Sequence, residues 1–116
     1  MRFSLKKADR LLKRSEFLEL TRSGRKVQND CFIALYKPGR FDRCRLGITV
    51  TRKVAKAAHR NRLKRLVREY FRLNRRHFNQ NWDINIVAKN KAVDLSAEKV
   101  FSFLQDVFEQ IENGVN

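Results

Sequence analysis

The sequence predicts a single α+β domain in which a small sheet is packed by helices. Three observations support this. The chain has 116 residues, which is enough for one modest core. Apolar side chains alternate with a period of two at residues 45–52 and 82–89, as in half-buried strands. They recur every three or four residues at 56–78 and again after Ser96, as in amphipathic helices.

The first half of the chain predicts one short helix and two strands. Ser15 is predicted to cap the helix and Gly24 to end it. Residues 27–37 are predicted to form one strand, with apolar or aromatic side chains on both faces. A Pro-Gly pair then starts a turn that leads to the strand at 45–52. We therefore expect these two strands to form an antiparallel hairpin.

The second half predicts a long basic helix at 56–78, a third strand at 82–89 and a last helix capped by Ser96. The even-numbered positions of the third strand, from Trp82 to Ala88, are predicted to share one face. The apolar stripe predicted for the last helix is formed by Val100, Phe101, Leu104, Val107, Phe108 and Ile111. The remaining positions of that helix are mostly acidic or polar, which indicates a packing element with one face in water.

Charge restricts the class of protein. The formal net charge is +15, from 27 Lys and Arg against 12 Asp and Glu, and a charge of this size favours anionic partners. The hydrophobic content of 42% is too high for a disordered basic tail. No apolar run approaches the ~20 residues of a membrane span, and no apolar signal segment follows the first charges.

Cys31 and Cys44 lack metal-site spacing and are predicted to be reduced thiols in a cytoplasmic protein.

The basic helix is the strongest functional signal. Residues 52–76 hold eleven Lys or Arg and one acid. At 3.6 residues per turn, one face carries Arg60, Lys64, Arg68 and Arg72. Like charges at this spacing repel by a few tenths of a kcal/mol per pair, which a polyanionic partner would offset. The alternative is a solvated face of a basic domain.

Residues for catalysis by the protein itself are not evident. His59 and His77 lie eighteen residues apart on one predicted helix, about 27 Å at 1.5 Å per residue, and cannot share a metal ion or a proton. No nucleophile, acid–base set, metal-ligand set or phosphate-binding glycine loop can be nominated. Phe17 has two interpretations: a core residue, or the floor of a groove on which single-stranded nucleic acid stacks.

Several motifs resemble one family in order and spacing. The run AAHRNRLKRLVREYFR at 57–72 closely resembles the signature of the protein subunit of bacterial ribonuclease P. RLLKRSEFLEL at 10–20 is similar to the first helix of that family. RLGITVTRKVAKA at 45–57 is similar to the strand that leads into its signature helix, and INIVAKNKA at 84–92 to its last strand. The resemblance covers residues 10–108, nearly the whole chain.

The resemblance implies an α-β-β(-β)-α-β-α sandwich, with a small mixed sheet packed by helices and a left-handed βαβ crossover. The whole chain, 1–116, would be one RNA-binding domain. It would be a protein cofactor in removing the 5′ leader of precursor tRNA, and the catalyst would be a separate RNA with bound Mg²⁺. One protein per RNA is expected, in the cytoplasm and without a membrane partner.

The resemblance also implies two sets of contact residues. Those that would contact the catalytic RNA are Arg52, Arg60, Asn61, Arg62, Lys64, Arg65 and Arg68. Those that would bind the precursor leader are Phe17, Ile33, Leu35, Lys53 and Lys89. The chain departs from some members at two places in the second set. Thr21 stands where they have a second aromatic, and their strand tyrosine corresponds to Leu35, or to Tyr36 if the register slips.

Three other functions fit the composition. A structural RNA-binding protein of the ribosomal type has the same charge and differs only in its motifs. An independent basic nuclease would need acid, base or metal ligands in the protein. A membrane-surface binder would need a free apolar face on a basic helix, and we assign that face to the core.

Overall fold

Three helices and four strands lie within residues 5–114, the part of the chain that the computed structural model describes. Residues 1–4 and 115–116 lie outside it. In chain order the elements are α1 (Arg14–Ser23), β1 (Arg25–Gln28), β2 (Phe32–Pro38), β3 (Arg45–Thr49), α2 (Ala57–Asn74), β4 (Trp82–Ala88) and α3 (Ala97–Asn113). Short 3-10 turns occupy Lys7–Asp9, Arg75–His77 and Asn90–Ala92.

The four strands form one mixed sheet in the order β1-β2-β4-β3. β4 is antiparallel to β2 and parallel to β3. The predicted hairpin of β2 with β3 is therefore wrong, because β4 lies between them. β4 is one of the two inner strands, and six of its seven residues are buried, on both faces of the sheet. The loop at 39–44 crosses the end of β4, about 10 Å at two strand spacings.

The single strand predicted at 27–37 is two antiparallel strands, β1 and β2. Asn29 makes the turn between them, because its Oδ1 accepts hydrogen bonds from the backbone N–H groups of Cys31 and Phe32, both at 3.0 Å. Its Nδ2 donates to the Phe103 carbonyl of α3 at 2.9 Å. The sequence prediction missed this turn because the apolar residues on either side masked its Asn-Asp signal.

The helix starts are partly as predicted. Ser96 caps α3, accepting a hydrogen bond from the N–H of Lys99 at 3.2 Å. Ser15 does not cap α1, which begins one residue earlier. The Glu16 carboxylate instead accepts the N–H groups of Leu12 and Lys13, each at 3.2 Å. A side chain within the first turn thus satisfies backbone donors that precede the helix.

The core lies between one face of the sheet and the helices α2 and α3. The sheet contributes its even-numbered positions, including Phe32, Tyr36, Trp82, Ile84 and Ile86. The helices contribute Leu63, Val67, Tyr70 and Phe71 from α2, and Val100, Leu104, Val107, Phe108 and Ile111 from α3. Both predicted stripes are confirmed, although α2 ends at Asn74, short of the predicted 78. Cys31 and Cys44 are buried and free.

α2 connects the parallel neighbours β3 and β4, so the βαβ crossover that the resemblance implies is present; its left hand stays a prediction. α1 packs on the opposite face of the sheet and covers part of it. No helix among residues 5–114 is long and apolar enough to cross a bilayer.

Candidate nucleic-acid interface

Two surfaces carry the residues that the sequence singled out. We call the outward side of α2 the basic helix face; it comprises Asn61, Lys64, Arg65, Arg68 and Arg72. We call the surface formed by α1 and the face of the sheet beside it the sheet cleft; it comprises Phe17, Ile33, Leu35, Thr49, Asn85, Val87 and Lys89.

The basic helix face arises from the periodicity of α2. The buried stripe of this helix faces α3 and the sheet, so the side chains between the stripe positions point to water. Asn61, Arg65 and Arg68 are exposed, and none of them forms an ion pair or side-chain hydrogen bond within residues 5–114. Guanidinium groups left free in this way can take phosphate in a bidentate manner.

Within residues 5–114, Arg72 is the one cation of the basic helix face that forms an ion pair. Its guanidinium binds both carboxylate oxygens of Glu69, three residues earlier on α2. The hydrogen bond from Arg72 lowers the pKa of Glu69 below its ordinary value. The face thus contains one local neutral pair beside its free arginines.

Arg60 and Arg62 have a second task. The Nη1 of Arg60 donates to the carbonyl of Ala55 at 2.8 Å, and the Nη2 of Arg62 donates to the carbonyl of Leu95 at 2.8 Å. Both side chains are half-buried. These bonds tie α2 to the loop before it and to the loop before α3, a role that the sequence prediction did not contain.

Two more predicted cations, Arg52 and Lys53, lie in the loop between β3 and α2. Both are exposed. This loop joins the end of β3, whose Thr49 belongs to the sheet cleft, to the start of α2. It therefore connects the two surfaces along the chain.

The sheet cleft brings together four of the five predicted leader residues. Ile33 and Leu35 stand opposite Val87 and Asn85 on the face away from the core. Tyr36 is 2% exposed on the core face, where its ring meets Trp82 edge-on at 5.1 Å between centroids. The open register question is thereby answered: Leu35, not Tyr36, faces the cleft.

The cleft has a polar floor beside these apolar residues. The Thr49 hydroxyl and the Asn85 side-chain amide exchange hydrogen bonds at 3.2–3.3 Å. Lys89 extends the same face and donates from Nζ to the Gln28 side chain and the Asn29 carbonyl, both at 2.7 Å. Lys89 therefore also braces the turn between β1 and β2. Thr21 is exposed, and its hydroxyl donates to the Phe17 carbonyl at 3.1 Å.

Phe17 forms the wall of the cleft at α1. Its half-buried ring stands directly above Gly47 of β3: a Cβ on that glycine would lie 2.5 Å from Phe17 Cε1. A small cavity of about 160 Å³ opens beside the ring and is also lined by Lys64 and Arg68 of α2. Phe17 is therefore half-buried: one part of its ring packs on the sheet, and another part borders the cavity.

An ion-pair network fixes α1 to the sheet. Arg45 Nη2 lies 2.8 Å from Glu16 Oε2 and 2.9 Å from Asp83 Oδ2, and Arg45 Nε donates to Asp83 Oδ1 at 3.0 Å. Burial alone raises the pKa of Glu16, but the N–H groups of Lys13 and Leu12, together with Arg45, lower it overall. Sequence reasoning missed this network, because no local pattern relates residues 16, 45 and 83.

The two histidines are exposed, and His77 lies beyond the end of α2 in a 3-10 turn. Within residues 5–114, no three His, Cys, Asp or Glu side chains are grouped so that they could hold a metal ion.

Comparison with known proteins gives one consistent family. The Ribonuclease P family model matches residues 5–112. The ribonuclease P protein component of Desulfosudis oleivorans is 54% identical over 106 residues, which cover 91% of this chain and 88% of that protein.

Solved structures agree with the sequence comparison. The RNase P protein of Thermotoga maritima is similar with a TM-score of 0.81 and 36% identity, covering 89% of this chain and 97% of that one. The RNase P protein of Staphylococcus aureus is similar with a TM-score of 0.86 and 30% identity, covering 91% of this chain and 97% of that one.

Proposed function

Since this chain belongs to the ribonuclease P protein family, we propose that its two surfaces divide the binding of RNA between them. The chain is the protein subunit of the ribonucleoprotein endoribonuclease P, which matures the 5′ end of tRNA, and its partner is the ribonuclease P RNA. In the proposal, the basic helix face binds that RNA, and the sheet cleft binds the 5′ leader of precursor tRNA.

The observation that carries the first half is the row of free cations on one side of α2. Arg65 and Arg68 are exposed and unpaired within residues 5–114, while the opposite side of the helix is core. An anion bound between them would offset their mutual repulsion. Because phosphate contacts read no sequence, they suit a folded RNA recognised by shape and backbone.

The second half rests on the composition of the sheet cleft. It offers an aromatic ring, aliphatic side chains and a few fixed polar groups, but no row of arginines. Such a surface suits unpaired bases, which stack on aromatic side chains for ~1–3 kcal/mol each and with little sequence preference. Leaders differ between precursor tRNAs, so tolerance of sequence is what this role requires.

Four further features stay predictions within the same proposal. Mg²⁺ acts with the RNA and is held mainly by it. Precursor tRNA is the substrate, and one protein joins each RNA. The complex works in the cytoplasm.

A reconstitution assay at low Mg²⁺ tests the proposal. Protein, a bacterial ribonuclease P RNA and a precursor tRNA with a 5′ leader are incubated together and with each component omitted. We expect cleavage at the mature 5′ end only when protein and RNA are combined. Binding of RNA without stimulation would instead indicate a structural RNA-binding protein, and cleavage without the RNA would indicate a protein active site.

A further inference from the structure

We propose that Gly47 is a positioning residue for Phe17, and that the preference of the enzyme for precursor over mature tRNA depends on the absence of a side chain there. The inference rests on the proposed role of the sheet cleft in leader binding. It adds Gly47 of β3 as a residue that affects leader binding through Phe17 and not through contact with the RNA.

The first step is the closeness of the ring to the strand. A Cβ on Gly47 would lie 2.5 Å from Phe17 Cε1, 2.8 Å from its Cζ and 3.1 Å from Leu11 Cδ1. Carbon atoms in contact are ordinarily about 3.5–4.0 Å apart. The ring therefore occupies the space that any other residue at position 47 would fill.

The second step is that the three nearest atoms, two of Phe17 and one of Leu11, all belong to side chains. The backbone of β3 does not need to move when a methyl group is added. Gly47 is also a regular strand residue without positive φ, so alanine is compatible with its backbone. The change at position 47 is thus taken up by Phe17, whose ring must shift by about 1 Å or more.

The third step is that α1 cannot follow the ring. Glu16, the residue before Phe17, is held by Arg45, which lies two residues before Gly47 on the same face of β3. Arg45 is 12% exposed in its side chain and is itself held by Asp83 of β4. Glu16 is thus held at Arg45, and Phe17 packs at Gly47, the next position on the same face of β3. We therefore expect the displaced ring to rotate while α1 stays in place.

A displaced ring changes what a base can stack on. Phe17 is the one aromatic side chain among the residues that form the sheet cleft. A shift of this size is enough to lose a stacking arrangement. We expect a loss of leader binding without a loss of RNA assembly.

The test is a double-mutant cycle in the reconstituted holoenzyme: wild type, Gly47→Ala, Phe17→Ala and the double variant. The readout is the ratio of the dissociation constants of mature and precursor tRNA. We expect Phe17→Ala to reduce this ratio about fivefold or more, the loss of one stacked base. Gly47→Ala should reduce it similarly, and the double variant no further than Phe17→Ala alone.

Thermal denaturation of the four free proteins gives an independent readout. Gly47→Ala should lower the Tm when Phe17 is present and not when it is alanine, because the methyl group then fills the vacated space. Gly114→Ala, beyond α3, is the matched control and should leave the tRNA ratio unchanged.

The outcomes separate the two hypotheses. A wild-type ratio for Gly47→Ala beside a reduced ratio for Phe17→Ala contradicts the positioning role, as do additive losses in the double variant. If Gly47→Ala unfolds the protein, the proposal still requires a folded double variant with the ratio of Phe17→Ala. A wild-type ratio for Phe17→Ala contradicts the leader role of the cleft. The Tm values of the four variants then still test whether Gly47 leaves room for the ring of Phe17.

Discussion

At the scale of single residues, neighbouring cations of α2 differ in what they do without RNA. Arg65 is exposed and has no partner within residues 5–114, so its charge is available. Arg62 donates a hydrogen bond to the Leu95 carbonyl and thereby holds α2 to the segment before α3. A motif of closely spaced basic residues therefore combines binding and structural roles, which sequence alone does not separate.

Replacing Arg62 and Arg65 separately should show this difference. Both Arg62→Ala and Arg65→Ala should weaken assembly with the ribonuclease P RNA while the fold persists. Only Arg62→Ala should also lower stability, by about 1–2 kcal/mol for a hydrogen bond from a charged group, or several degrees in Tm. RNA binding at several salt concentrations and thermal denaturation would measure both. An equal loss of Tm in the two variants would contradict the assignment.

At the scale of elements, sequence predicted best what a local period encodes. The stripe of α3 and its Ser96 cap were readable because helix burial repeats every three or four residues. The strand order was not readable, because β2 and β3 follow one another in sequence while their common partner β4 comes after α2. The turn at Asn29 depends on hydrogen bonds to α3, a contact across more than seventy residues.

Asp9 shows how three segments are joined by one buried carboxylate. It is 2% exposed and accepts the N–H of Lys6 at 2.8 Å. Arg43, in the loop between β2 and β3, and Arg75, after α2, lie 3.2 and 2.9 Å from its Oδ1. Burial alone raises the pKa of Asp9, but the Lys6 N–H and the two arginines lower it overall.

This lowered pKa predicts a pH dependence of stability. Below the unfolded-state value of 3.8, the unfolded chain binds a proton at Asp9 that the folded chain does not, so stability falls as the pH falls further. The contribution is complete above that value. We expect Asp9→Asn to be less stable than wild type at pH 7 and to lose less stability between pH 4 and pH 2. Urea unfolding across this range would measure it.

The control for that measurement is Asp94→Asn, because Asp94 is exposed and forms no ion pair within residues 5–114. It should keep the wild-type slope below pH 4. A wild-type slope in Asp9→Asn would assign the acid sensitivity to other carboxylates, such as Glu16 with its own lowered pKa.

At the scale of the whole molecule, the resemblance named residues for a candidate site but could not show how the fold brings them together. The resemblance supplied both surfaces, and the structure brings Phe17, Ile33, Leu35 and Lys89 to one face of the sheet. It could not supply the packing of α1 on the sheet, which depends on the Glu16–Arg45–Asp83 network and on Gly47. Such contacts join distant segments and leave no periodic trace in one sequence.

The net charge of +15 makes a prediction for the complete enzyme. Protein cations and Mg²⁺ both reduce the repulsion between the phosphates of catalytic RNA and substrate, so each should partly replace the other. We expect the RNA alone to cleave at high Mg²⁺, and the stimulation by protein to grow as Mg²⁺ is lowered. Cleavage rates with and without protein, across a Mg²⁺ titration at constant monovalent salt, would measure this.

A charge variant shows whether the basic helix face supplies that replacement. The double substitution Arg65→Ala with Arg68→Ala removes two exposed cations and leaves the core side of α2 intact. It should shift the Mg²⁺ requirement of the holoenzyme upward, toward that of the RNA alone, because fewer phosphates are neutralised by protein. As a control, Lys99→Ala removes an exposed cation from α3, outside the basic helix face, and should leave the requirement unchanged. Equal stimulation by wild-type protein at every Mg²⁺ concentration would contradict the electrostatic role and leave positioning of the substrate as the contribution of the protein.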